Sequence, residues 1–176
     1  VGINAAETLE ATLTGGGRTG TLTYTKVTDT AGRLDDNDTA SNGAAAITGK
    51  TIVINGETSL TQLKTIRDRA GATNLVTYTN VTDIRSNLVN TSAALAGSSS
   101  ANIVGYAVTC SDSISLQQGI DLRTTIGGGG TLTNTKVTDS ALNLYNARTG
   151  GSGYNAANDY TGKTVTLNTT PTAAQF

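Results

Sequence analysis

The sequence predicts an α/β solenoid: about seven stacked strand–helix coils of roughly 27 residues that share a parallel sheet. The first observation behind this is a nine-residue phrase that occurs three times, as TLTYTKVTD at 21–29, LVTYTNVTD at 75–83 and TLTNTKVTD at 131–139. The second is another phrase lying between those copies, as TIVINGETSLTQL at 51–63, VTCSDSISLQQ at 108–118 and TVTLNTTPTAAQF at 164–176. Aligned, the second phrase puts Ile52 and Ile54 over Val108 and Cys110 and over Val165 and Leu167, with Gln62, Gln118 and Gln175 in register. The opening Ile3-Asn4 and ETLEATL read as a degenerate copy of it. Marking the last inward apolar residue of each strand gives Ile3, Val27, Ile54, Val81, Cys110, Val137 and Leu167. The steps are roughly 24 to 30 residues, so 1–176 reads as one repeat domain with incomplete terminal coils. A right-handed parallel β-helix is the alternative. The helical spacing within LTQLKTIRDRAG favours the mixed architecture.

Within the first phrase, alternation places Thr25 and Val27 on one face and Tyr24 and Lys26 on the other. The same faces hold Thr79 and Val81 against Tyr78 and Asn80, and Thr135 and Val137 against Asn134 and Lys136. The Thr/Val side is assigned inward because it matches Ile52 and Ile54, although Leu22, Val76 and Leu132 lie on the Tyr side. Each phrase ends in an aspartate, Asp29, Asp83 or Asp139, followed five residues later by Leu34, Leu88 or Leu144. Aspartate is a good N-cap, so each is expected to open the helix that follows it. In the second phrase Ser59 or Thr58 can cap a helix with Leu60, Leu63 and Ile66 on one face, and Thr170-Pro171 reads as a cap with proline at the first helical position. Helices are expected to close at Gly15 to Gly17, at Gly71 and in the run Gly127 to Gly130. Strand, helix, glycine and strand in that order imply parallel strands with right-handed crossovers.

Composition narrows the function. The chain has 176 residues, net charge −1 and no histidine. The charge argues against a nucleic-acid footprint. The missing histidine removes the commonest general base and metal ligand. No apolar run is long enough to span a membrane. Neither a signal peptide nor an initiator Met is visible, as expected of a processed chain or a segment of a larger one. Cys110 is the single cysteine and sits in the core series, so it reads as a small buried hydrophobe.

The phrases VTDTAGRL, VTDIRSNL and VTDSALNL resemble the degenerate V-[ST]-D-[ST]-A-x-x-L repeats of very large secreted surface or adhesin-like proteins of cyanobacteria and proteobacteria. The likeness covers nearly the whole chain. It implies an extracellular or cell-surface location and names no ligand. The glycine-aspartate calcium nonapeptide that often accompanies those repeats is absent from this sequence.

Candidate sites are sparse. The stretch DDNDTASNG at 35–43 gathers the carboxylates of Asp35, Asp36 and Asp38, the oxygen donors that calcium prefers, although no EF-hand glutamate follows. Asn155, Asn158 and Asp159 repeat the theme more weakly. No Walker-type loop, nucleophile–base pair or other cofactor signature is present. The reading is therefore a non-catalytic structural module, a building block of a surface layer, filament or adhesin. It would self-associate through its solenoid ends with further copies or with adjoining repeats of a larger chain. The alternative is a calcium- or glycan-binding module using the loops at 35–49, 89–103 and 145–162. The strand TVTLN at 164–168 carries no guarding proline or lysine at its centre, which makes it the expected point of contact.

Overall fold

The computed structural model describes residues 1–15, 22–36, 47–71, 75–89, 99–149 and 160–175. The helices are α1 (Ile3–Thr14), α2 (Ala31–Asp36), α3 (Leu60–Ala70), α4 (Arg85–Leu88), α5 (Ser99–Ile103), α6 (Leu116–Ile126) and α7 (Ala141–Arg148), with a 3₁₀ turn at Ala173–Gln175. The strands are β1 (Lys26–Thr30), β2 (Thr51–Asn55), β3 (Glu57–Thr58), β4 (Val76–Thr77), β5 (Asn80–Asp83), β6 (Ala107–Cys110), β7 (Thr131–Asn134), β8 (Lys136–Asp139) and β9 (Thr164–Leu167). Two compact units result, one built on Val1–Val81 and the other on Thr82–Thr91 with Ser99–Phe176.

The expected solenoid, with one continuous parallel sheet, does not form, and neither does the β-helix. The protein is a mixed α/β structure with three short sheets, ordered β1-β2-β4, β3-β5-β6-β7 and β8-β9. Pairing is parallel, as expected, in β1–β2, β2–β4, β3–β5, β6–β7 and β8–β9. The single sheet fails because the repeated phrases are bent. Tyr78 and Val81 are both buried, as are Asn134 and Val137. Positions three apart face opposite sides of a straight strand, so burying both requires a break that resets the alternation. The break falls at Tyr78–Thr79, between β4 and β5, and at Thr135, between β7 and β8. Gly56, at φ +83°, separates β2 from β3 in the same way. The arms on either side of a bend then join different sheets, β7 pairing with β6 and β8 with β9.

The bends also revise the inward face. Val27, Val81 and Val137 are buried, but Tyr78 and Asn134, assigned outward, are buried too, while Thr25, Thr79 and Thr135 are exposed at the bends. Val27 pairs with Ile52, and Ile54 lies opposite Asp29. Ile54 and Cys110 are buried, whereas Leu167, in β9 beside β8, is 43% exposed.

Of the helix starts expected in the second phrase, the one at Ser59 holds. In α3 the Ser59 side chain accepts from the Gln62 N–H, and the Gln62 side chain returns the bond to the Ser59 N–H. Ser115 and Gln118 build the same box on α6. Gln175 repeats half of it by accepting from the Thr172 N–H, which accounts for the glutamine register. Leu60, Leu63, Ile66 and Ala70 form the buried face of α3, and Gly71 closes it in the left-handed conformation. Thr170-Pro171 does not open a helix; a 3₁₀ turn begins at Ala173 instead. Gly15 ends α1 with an ordinary φ of −73°.

Candidate functional site

Two aspartates of the first phrase, Asp29 and Asp139, cap at a distance, whereas Asp83 accepts from the nearby Ile84 N–H and Asn87 Nδ2. Asp29 Oδ2 accepts from the Ile3 N–H, the first of α1, 26 residues away at 3.1 Å. Asp139 Oδ2 accepts from the Leu116 N–H, the first of α6, 23 residues away at 2.9 Å. Asp112 does the same for Arg85 at the start of α4, and the Thr169 hydroxyl for Ala141 at the start of α7, across 27 and 28 residues. The expectation that each aspartate opens the helix that follows it is therefore corrected for Asp29 and Asp139, which cap the starts of helices that precede them. The second carboxylate oxygen bonds locally, to Thr30 N–H from Asp29 and to Ser140 N–H from Asp139. For α7 the local cap is Ser140, whose hydroxyl accepts from the Asn143 N–H. Each of these four long-range bonds ties a helix start to a later strand: to its C-terminal end at Asp29 and Asp139, and to the loop behind it at Asp112 and Thr169. That signal lies in the recurring separation of 23 to 28 residues between a helix start and its distant cap.

Another signal the sequence reading missed is the repeat Thr48-Gly49-Lys50-Thr51 and Thr161-Gly162-Lys163-Thr164. Gly49 and Gly162 take φ of +69° and +75° and turn the chain into β2 and β9. The lysines reach sequence-equivalent partners: Lys50 lies 4.8 Å from the Tyr24 ring centre, and Lys163 Nζ donates to Asn134 Oδ1 at 2.7 Å.

These turns present β9 as an edge. Val165 and Leu167 are 40% and 43% exposed, and β9 pairs with β8 alone among the described residues. Thr164 and Asn168 donate their N–H groups to Thr135 and Asp139. Hydrogen-bonding direction alternates along a strand, so Val165 and Leu167 point their N–H and C=O groups away from β8. Beside the edge runs a groove of about 140 Å³ lined by Leu144, Tyr145 and Arg148 of α7 with Tyr160, Leu167 and Pro171. Tyr160 packs on Leu116, Val137, Leu144 and Ala147. An unpaired strand edge with an apolar flank can accept another strand through main-chain hydrogen bonds.

Cys110 is buried and its thiol donates to Asp112 Oδ1 at 3.0 Å. Burial, reinforced by that carboxylate, pushes the thiol up to about 12, which leaves it a poor nucleophile. Asp112 is held below its ordinary range: partial burial raises it, but the bonds from Cys110 and from the Arg85 N–H outweigh that. Of the proposed calcium ligands, Asp35 and Asp36 end α2, and the Asp35 carbonyl receives Arg69 Nη1. Asp38 and the second loop's Asn155, Asn158 and Asp159 lie outside the described residues. Among the described residues no three carboxylate, histidine or cysteine side chains gather as a metal site. No helix among them is long and apolar enough to cross a membrane.

Comparison with protein-family models, curated proteins and solved structures yields no match for this chain.

Proposed function

We propose that this chain is a non-catalytic structural module of an extracellular surface layer, filament or adhesin, joined to further copies or to adjoining repeats by strand addition at β9. The observation that carries the reading is the open β9 edge: four residues, none charged, each exposed and paired on one side among the described residues. Edges of this kind are normally blunted by charge or proline. The resemblance of the VTD phrases to secreted surface repeats supports the location. A glycan reading of the groove is less well supported, because about 140 Å³ is well below the roughly 300 Å³ at which small-molecule sites begin. The test is mass against protein concentration by sedimentation equilibrium, for the parent and for Val165→Lys. The parent should gain mass with concentration and the variant should not. A parent that stays monomeric throughout the range removes the proposal.

A further inference from the structure

The chain's own repeats indicate what the β9 edge receives. The strand β2 is the sequence counterpart of β9, since TGKTIVIN at 48–55 recurs as TGKTVTLN at 161–168. On its outer edge β2 takes β4 in parallel, with Ile52 opposite Val76 and Val53 opposite Thr77. The other counterpart, β6, takes β7 in the same manner, with Val108 opposite Leu132 and Thr109 opposite Thr133. Both incoming arms are the front half of the nine-residue phrase, and Val76 and Leu132 occupy the same position in it. The remaining copy of that phrase carries Leu22 and Thr23 at these positions. Leu22 and Thr23 belong to no strand, Leu22 is half-buried and Thr23 is exposed. One receiving edge and one docking arm of matching type are thus left over among the described residues.

We infer that the arm at Leu22–Thr23 of a second copy adds in parallel to β9, with Leu22 opposite Val165 and Thr23 opposite Thr166. This rests on the strand-addition reading above and names its occupant. The hydrogen-bond directions agree. Thr51 N–H is used toward β1, where it donates to Thr25 O, which turns Ile52 toward β4; Thr164 N–H is likewise used toward Thr135 O, which turns Val165 outward. On the incoming side Thr131 N–H donates to Tyr106 O, so Thr133 is the next donor to β6, and Thr23 is its counterpart. The contact joins two different surfaces, so it propagates head to tail unless its rotation closes a ring.

Two proline variants each remove one bond of this pair. Val165→Pro deletes the outward donor of β9, and Thr23→Pro deletes the donor of the arm. Each variant alone should remain monomeric at concentrations where the parent associates. An equimolar mixture should form a one-to-one dimer and nothing larger, because it holds one intact edge and one intact arm. Circular dichroism checks that each variant is folded, and Val165→Lys and Thr23→Lys replace any that is not. Association lost in Val165→Pro but kept in Thr23→Pro would overturn this inference while leaving β9 as a docking edge. A mixture that stays monomeric would also overturn it. A parent that never associates would overturn both readings.

Discussion

Asp139→Ala tests whether the long-range caps hold the fold. The carboxylate is buried and receives three donors: Leu116 N–H at 2.9 Å, Ser140 N–H at 2.8 Å and Asn143 Nδ2 at 2.7 Å. Hydrogen bonds to a charged group contribute about 1.5–3 kcal/mol each when taken singly, and a buried donor left unpaired costs about 1–3 kcal/mol. Bonds sharing one carboxylate are not additive, so the expected loss is about 3 kcal/mol. At this chain length 1 kcal/mol corresponds to about 2–4 °C, which places the fall in Tm at about 6–12 °C. Asp139→Asn should recover little of it, because both carboxylate oxygens face N–H donors and the amide NH₂ must oppose one. The assay is thermal unfolding with amide hydrogen exchange read at Leu116, which should lose protection in both variants. A Tm within 1 °C of the parent, or unchanged protection at Leu116, would refute the argument that the aspartate fastens α6.

Gly130→Ala should cost at least about 1–3 kcal/mol, since its Cβ would lie 2.4 Å from Ile126 Cγ2 and 2.5 Å from the Tyr106 carbonyl. Gly128→Ala, with open space around it, should be close to neutral, and chemical denaturation of the pair checks the contrast. Val81→Asp should prevent folding or cost several kcal/mol, whereas Leu167→Asp should change stability by roughly 0.5 kcal/mol or less, because the first is buried and the second is 43% exposed. The Cys110 thiol is raised from 9.0 to about 12 in the folded protein, so its contribution is complete below pH 9 and is lost as pH rises toward 12. Alkaline denaturation of Cys110→Ala should therefore be less steep than the parent's, by up to about 1.4 kcal/mol per pH unit. The lowered Asp112 has the opposite sign: it stabilises above its ordinary 3.8 and ceases to as pH falls, and Asp112→Asn should flatten that acid limb.

Taken alone, the sequence determined the recurring phrases, the parallel sense of the strands, a helix opening at Thr58 or Ser59, and the burial of Val27, Val81, Cys110 and Val137. These are local matters. A serine three residues before a glutamine makes its own box, and a valine within a threonine-rich run has few other places to go. It also marked TVTLN at 164–168 as a strand unguarded by proline or lysine at its centre. Tertiary structure alone decided where the phrases bend, which sheet each arm joins, and which helix each aspartate caps. The break at Thr135 is invisible until Asn134 and Val137 are both seen to be buried. Asp139 could not be assigned to Leu116 from its own neighbours, because the deciding contact lies 23 residues away. Register between arms is a non-local choice. It depends on which backbone groups a neighbour leaves unpaired, and the residues that make this choice are brought together only by folding.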